Sequence, residues 1–233
     1  AKTAPKPAGA IIGEPTDMKV VSAQKGVLVV QTDIEGHEAH SSQIHQGVSA
    51  VMIAARLMNL VLQMSDEARA KAPADPLMEP SGTTITVNKI AGGTAANILA
   101  KECSIVFDVR YTAEYDPDVY FQRYEAEAKR LEAEMLKIEA GCSIRISVRS
   151  TPPLAHVPGN PAEVIARALT GDNAARGVAY AAEAGQFQQA GFDAVICGPG
   201  SILQAHQPDE FVEIDQLAQG CRFFEPLIKR LSQ

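Results

Sequence analysis

Positive charge is scarce in this chain, which has 21 Lys and Arg residues against 28 Asp and Glu, a net charge of −7. The few basic residues form no block, which argues against a nucleic-acid partner, because such a surface needs a basic patch. Long apolar runs are also missing. None approaches the length that spans a bilayer, and we find no secretory leader, so no membrane partner is expected.

Closely spaced cysteine pairs are absent as well. The four cysteines form no CxxC motif, and three of them lie in or beside apolar runs. This pattern favours buried free thiols in a reducing compartment, so the sequence predicts a cytoplasmic protein. An initial Met is also lacking, and residues 1–7 resemble a loop that has been cut open.

Two apolar patterns, alternation and helical spacing, follow one another in a definite order through the middle of the chain. They predict a strand at 25–35, a helix at 47–64, strands at 83–87 and 103–111, a helix from Pro117 to a C-cap at Gly141, and a strand at 143–149. This β-α-β-β-α-β order is that of the split βαβ sandwich. A Pro-rich stretch at 151–153 then marks a boundary.

The helix predicted at 47–64 is apolar over much of its circumference. Ile53, Leu57, Leu60 and Val61 widen the stripe that its helical spacing defines. A single sheet can cover only one side of such a helix. We therefore expect a second cover, which a partner subunit could supply.

Two short apolar runs outside this region each lead to a potential metal ligand. The run 10–12 is followed by Gly13 and Glu14, and the run 194–197 leads through a Gly-Pro-Gly turn to His206. In α/β sheets ligands bind beyond the carboxyl ends of the strands, and carboxylate plus imidazole is a usual zinc ligand set. Taken singly, Glu14 also fits a solvated turn acid and His206 a surface histidine.

These two stretches, together with Gly-His-Glu-Ala-His-Ser-Ser at 36–42, resemble the zinc-dependent family of acetylornithine deacetylases, succinyl-diaminopimelate desuccinylases and related aminoacylases. GEPT, AHSS and GPGSxxxAHQPDE occur here in the family's order, over about residues 11–231. The resemblance implies an α/β zinc-hydrolase catalytic domain, of which only the C-terminal part is present, with an inserted βαββαβ (ferredoxin-like) lid and dimerisation domain. Residues 1–24 and 151–233 would form the catalytic part and residues 25–150 the lid.

Two motifs of the family are missing from the sequence, a His-x-Asp motif and a Glu-Glu pair. In the family they supply the bridging Asp, further metal ligands and the general base. The resemblance therefore implies a fragment that lacks the N-terminal part of the catalytic domain and is inactive alone. A natural stand-alone lid protein is the other interpretation.

The resemblance also assigns metal and catalytic roles. Glu14 and His206 match two metal ligands of the family, one on each of up to two zinc ions, with cobalt as a substitute. His40 matches the lid histidine that stabilises the oxyanion in the partner subunit's active site. A loop histidine that caps a helix is the alternative, and His37 is expected at the surface.

Four further residues match positions that the family uses for its substrate: Asn97, Arg110, Glu183 and Gly200. Asn97 would contact the substrate or its oxyanion, unless it is simply a turn residue. Arg110 would bind a substrate carboxylate through two hydrogen bonds, or would pair with Asp108.

The implied reaction is hydrolysis of an N-acyl amide, in which zinc polarises the carbonyl and lowers the pKa of a bound water. Deacetylation of N-acetylornithine in arginine biosynthesis is the preferred hypothesis. Hydrolysis of N-succinyl-diaminopimelate or another N-acyl amino acid is the alternative within the same class. A non-catalytic dimerisation or binding module is the alternative from a different class. The resemblance implies a homodimer formed through the lid.

Overall fold

The computed structural model describes residues 7, 9–74 and 77–232 of the 233-residue chain. The chain divides into two compact units, named here by their place in the sequence. The outer unit comprises residues 1–26, 75–81 and 151–233, and the inserted unit comprises residues 27–74 and 82–150. No helix in the described part of the chain is both long enough and apolar enough to cross a membrane.

Strands and helices alternate irregularly along the chain. In order they are β1 (Ala10–Ile12), β2 (Ala23–Gln24), β3 (Gly26–Glu35), α1 (Ala50–Ala70), β4 (Thr84–Gly92), β5 (Glu102–Tyr111), α2 (Asp118–Met135), β6 (Ser143–Thr151), α3 (Pro161–Thr170), β7 (Gly177–Val178), α4 (Ala184–Gln189), β8 (Ala194–Ile196) and α5 (Ile214–Leu231). A short 3-10 helix, Ile44–Gln46, precedes α1.

The inserted unit has one four-stranded sheet in the order β4-β5-β3-β6. Buried and half-buried residues alternate strictly along β3, as the period of a strand with one covered face requires. One apolar core joins this face to both helices, with Val30, Leu57, Phe107 and Tyr124 no more than 1% exposed. The predicted β-α-β-β-α-β order is confirmed, and with it the mixed α/β fold class.

Helix α1 starts and ends later than the predicted 47–64. The Ser49 hydroxyl accepts a hydrogen bond from the Met52 backbone N at 3.4 Å, which caps the helix at its start. The last turn continues to Ala70 because its apolar face is still covered, with Ala68 buried. The opposite face stays open in the described residues, since Met52 is 65% and Leu62 61% exposed.

Helix α2 is shorter than predicted. It starts at Asp118, whose backbone N donates to the Asp116 carboxylate at 2.9 Å. It ends at Met135, so the C-cap predicted at Gly141 is wrong. The buried stripe ends at that residue and Ile138 is 52% exposed, so little packing energy favours another turn.

The outer unit contains two short parallel strand pairs, β1 with β8 and β2 with β7. Val21 adds an antiparallel bridge to Ile196 on β8. Asn160 ties α3 to this layer: its side-chain oxygen accepts from the backbone N of Ala162 at 2.9 Å, and its amide donates to the Ala194 carbonyl at 2.9 Å. The carboxyl ends of β1 and β8 therefore lie side by side.

Helix α5 runs to Leu231 through Pro226, although proline in a helix interior lacks the backbone N–H and usually kinks or ends the helix. Phe223 before the proline and Leu227 after it pack against the same apolar cluster. This packing on both sides of the proline offsets the hydrogen bond that proline cannot make.

Candidate metal and substrate site

The loops after β1 and β8 are joined backbone to backbone. The Gly198 carbonyl accepts hydrogen bonds from the backbone N of Thr16 at 3.2 Å and of Met18 at 2.9 Å. The Gly198 backbone N in turn donates to the Thr16 hydroxyl at 3.1 Å. A Cβ at position 198 would lie 2.5 Å from the Glu14 carbonyl oxygen, so only glycine permits this approach. The two motifs found in the sequence thus fix each other's shape.

Two of the predicted site residues, Glu183 and His206, act electrostatically on a third, Glu14. Burial raises the pKa of the Glu14 carboxyl above its usual value, the negative charge of Glu183 raises it further, and His206 acts in the opposite direction. The structure therefore brings together Glu14, Glu183 and His206, which lie up to 192 residues apart in the sequence. Glu183 is exposed at the start of α4, where its side chain makes no capping hydrogen bond.

Tyr180 belongs to the same neighbourhood and was not found from the sequence. Burial, followed by the charge of Glu14, raises the pKa of its hydroxyl to about 12. Its one sequence signal is its position three residues before Glu183. A lone tyrosine after a two-residue strand carries no pattern that distinguishes it from a packing residue.

The donor set fits part of a metal site. Glu14 and His206 supply the carboxylate oxygen and imidazole nitrogen that zinc accepts, but zinc sites in proteins use at least three protein ligands. Across residues 7, 9–74 and 77–232, no group of three or more His, Cys, Asp or Glu side chains is arranged to hold a metal. The described residues therefore fit a metal as contributors to a larger ligand set.

His206 lies in a tightly turned loop. Its backbone adopts a φ of +59°, a region that non-glycine residues rarely enter, and Asp209 does the same. The Glu210 carboxylate accepts a hydrogen bond from the backbone N of His206 at 2.9 Å. This contact fixes the backbone of the loop.

The backbone conformation of Gly200 explains why a glycine occupies this position. Its φ of +91° is one that other residues avoid. Its backbone N donates to the Gln216 side chain at 3.2 Å, and its carbonyl accepts from the Asp17 backbone N at 2.7 Å. A substrate contact at the Gly200 N–H would have to replace the bond to Gln216.

In the inserted unit, the loops that carry His40 and Asn97 form a short antiparallel ladder. His40 bridges Ile98. The Ser41 backbone N donates to the Asn97 carbonyl at 2.9 Å, and the Leu99 N donates to the Ala39 carbonyl at 2.8 Å. His40 and Asn97, the two predicted lid residues, are both exposed and lie on neighbouring segments of this ladder. The helix cap is Ser49 and not His40, which removes the capping alternative.

Two other predicted residues of this unit have partners in the structure. The Arg110 guanidinium Nε lies 3.1 Å from the Asp108 carboxylate, as in the pairing alternative. The Arg110 side chain is 39% exposed. This leaves part of its surface accessible. His37 is at the surface as expected, with its ring Nδ1 4.0 Å from a Glu139 carboxylate oxygen.

Comparison with known proteins shows what the chain is similar to. Residues 22–135 match the family model of the peptidase dimerisation domain. The chain is 29% identical to acetylornithine deacetylase of Myxococcus xanthus, over 90% of this chain and 54% of that protein. It is 31% identical to acetylornithine deacetylase of Pasteurella multocida, over 98% of this chain and 56% of that protein. It thus spans about half the length of the curated relatives it matches.

Solved structures share the fold at lower identity. Aminopeptidase PepT from Bacillus cereus aligns with a TM-score of 0.68 and 19% identity, over 96% of this chain and 57% of that one. An M20 family metallo-carboxypeptidase from Sulfolobus solfataricus aligns with a TM-score of 0.63 and 16% identity, over 95% of this chain and 62% of that one. Fold, domain match and sequence relatives agree: residues 22–135 carry a peptidase dimerisation domain, and over most of its length the chain is similar to acetylornithine deacetylases.

Proposed function

We propose that the complete gene product hydrolyses the amide bond of an N-acyl amino acid, with N-acetylornithine as the preferred substrate in arginine biosynthesis. The observation that carries this proposal is that Glu183 and His206 both act electrostatically on Glu14, which follows β1 where β1 pairs with β8. The relatives named acetylornithine deacetylase support the choice of substrate. A cytoplasmic location is part of the same proposal, supported by the free thiols of all four cysteines.

Glu14 and His206 are the residues that would hold a metal, one or two zinc ions with cobalt as a substitute. When bound, zinc would polarise the acyl carbonyl and lower the pKa of a bound water. Glu183 would act on the substrate, because an exposed carboxylate attracts the side-chain ammonium of ornithine. The same negative charge disfavours a succinyl group, which favours the deacetylase over the desuccinylase.

The inserted unit would supply the remaining contacts. His40 would donate a hydrogen bond to the oxyanion that develops on the acyl carbonyl, and Asn97, held beside it by the ladder, would contact the same group or the substrate. The accessible part of Arg110 would bind the substrate carboxylate. Gly200, in the outer unit, would line the substrate site through its backbone.

We assign residues 25–150 as the lid and dimerisation domain, and residues 1–24 and 151–233 as part of the metal-binding catalytic domain. The match to a peptidase dimerisation domain supports a homodimer through the lid. The open apolar face of α1, with Met52 and Leu62 exposed, supplies a surface for that contact.

A non-catalytic dimerisation or binding module is the second candidate. One observation favours it: the described residues contain no group of three or more potential metal ligands. Glu14 and His206 would then be a turn acid and a loop histidine. The two candidates predict different effects of replacing Glu14 or His206. The hydrolase should lose bound metal and activity, whereas the binding module should lose at most some local stability.

The test uses the complete gene product, purified with zinc or cobalt and assayed for acetate release from N-acetylornithine and succinate release from N-succinyl-diaminopimelate. Glu14→Ala and His206→Ala should each lower both bound metal and activity, because losing a ligand weakens the site substantially. His37→Ala replaces an exposed histidine and is the matched control, which should keep both. Full metal occupancy in both variants, or no hydrolysis by the wild type, would refute the proposal.

A further inference from the structure

Among the residues that the structure describes, Ser42 is the one that hydrogen-bonds to the ring of His40. The Ser42 hydroxyl oxygen lies 2.8 Å from the His40 Nδ1, and the Ser42 backbone N lies 3.2 Å from the same ring atom. Both distances are within the range of good hydrogen bonds. One residue therefore contacts Nδ1 twice, once through its side chain and once through its main chain.

The two contacts together decide where the ring carries its proton. A hydroxyl can donate or accept, so its contact with Nδ1 alone would leave the tautomer open. A backbone N–H can only donate, so Nδ1 must offer its lone pair to the Ser42 N–H. The neutral ring then carries its hydrogen on Nε2, and the Ser42 hydroxyl donates to Nδ1 as well.

The loop around this pair is held by bonds that do not involve the Ser42 hydroxyl. The His40 carbonyl accepts from the Gln43 backbone N at 2.8 Å, and the Ser41 N bonds to the Asn97 carbonyl. Removing the hydroxyl should therefore leave the loop in place. The hydroxyl of Ser41 makes no hydrogen bond to His40 in the described residues, which makes Ser41 a natural control.

We infer that Ser42 is a positioning residue that holds His40 as the Nε2–H tautomer and so makes Nε2 the hydrogen-bond donor. The catalytic consequence rests on the proposed function, in which His40 donates to the developing oxyanion. The tautomer itself follows from the two contacts to Nδ1 whatever the protein catalyses. The inference thus has a structural part and a kinetic part that can be measured separately.

The structural part is tested by ¹⁵N NMR of the 233-residue chain labelled on its histidine rings, which distinguishes a protonated ring nitrogen from an unprotonated one. The His40→Gln variant identifies the His40 signals. We expect Nδ1 to be unprotonated in the wild type at neutral to mildly basic pH. Ser42→Ala keeps the backbone contact to Nδ1 and loses only the hydroxyl's, so it weakens the preference and should raise the Nδ1–H population above that of the wild type. Ser42→Thr, which keeps a hydroxyl, and Ser41→Ala should match the wild type. A wild-type ring protonated on Nδ1, or identical populations in wild type and Ser42→Ala, would overturn the inference.

The kinetic part uses the complete gene product and N-acetylornithine. Ser42→Ala should lower kcat by about 10-fold, the lower end of the effect of removing a partner that orients a functional histidine. In a His40→Ala background the same change should cost nothing further, because the two residues act as one unit. An equal loss in both backgrounds would show that Ser42 does not act through His40. A wild type without hydrolase activity would refute the proposed function alone, since the NMR result stands independently.

Discussion

At the scale of single residues, Gly198 sets how closely the two site loops approach. Gly198→Ala should destabilise the chain by about 3 kcal/mol, because the added methyl would lie 2.5 Å from the Glu14 carbonyl oxygen and overpacking of this kind costs 1–3 kcal/mol or more. Gly13→Ala is the matched control, since a Cβ there meets nothing within 4 Å. Urea denaturation of the three proteins measures the difference. Equal losses at both positions would mean that the approach at Gly198 is not required.

Asp172 makes the stability of the outer unit depend on pH. Burial alone would raise the pKa of this carboxyl, but hydrogen bonds from Arg176 and from the backbone N of Val20 and Ala174 outweigh burial and lower it below 3.8. A folded-state pKa below the unfolded value stabilises the fold at pH values above the unfolded pKa. That stability is lost as the pH falls through the folded pKa.

Asp172→Asn should therefore lower the free energy of unfolding by about 1–2 kcal/mol at pH 7, the range for hydrogen bonds to a charged group. The difference from wild type should shrink as the pH falls below 3.8. Urea denaturation between pH 7 and pH 3 would follow it. Asp209→Asn is the control, because its exposed side chain occupies a backbone conformation that Asn tolerates. A gap that stayed constant down to pH 3 would contradict the charge-based explanation.

At the scale of elements, helix α1 has one face in the core and one face open. If the proposed homodimer forms through this open face, Met52→Glu and Leu62→Glu should each raise its dissociation constant by about 100-fold, because a buried unpaired charge costs several kcal/mol. Analytical ultracentrifugation of the 233-residue chain measures the constant. Gln122→Glu makes a similar exposed change on α2 and should leave association unaltered. A wild type that stays monomeric would refute the proposed homodimer, and a dimer indifferent to both changes would place the interface elsewhere.

The ladder between residues 39–41 and 97–99 is also a property of elements. It joins two loops that are separated in the sequence by α1 and β4. Neither loop shows an alternating apolar pattern, so the sequence does not predict the pairing. The two loops become neighbours only when the four-stranded sheet forms, because pairing within that sheet places the end of β3 beside the start of β5.

At the scale of the whole molecule, the proposed dimer predicts complementation between subunits. His40→Ala and His206→Ala proteins should each have little activity, since removing an oxyanion donor typically costs on the order of 10²–10³ in rate. If His40 acts in the partner's site, a mixed dimer has one site with both residues intact. Mixing the two variants of the complete gene product and allowing subunit exchange should restore acetate release. No recovery in heterodimers shown to form would rule out action across the dimer.

Strand and helix positions followed from the sequence because burial on one face imposes a period. The strict alternation on β3 and the predicted order of elements in the inserted unit were both observed. The predicted C-terminal ends of α1 and α2 were wrong. The observed ends, Ala70 and Met135, depend on how far the buried face of each helix continues in three dimensions. The two-residue strands β2 and β7 are too short to carry a period at all.

The sequence by itself determined the family resemblance, the split βαβ order and the identity of Glu14, His40 and His206 as candidates, because motifs and periodicity are local properties of a chain. Only the tertiary structure decided that Glu183 and Tyr180 share Glu14's surroundings, and that Ser42 fixes the ring of His40. Electrostatic coupling and hydrogen bonding act over a few ångströms in space, and distance along the chain does not encode such proximity.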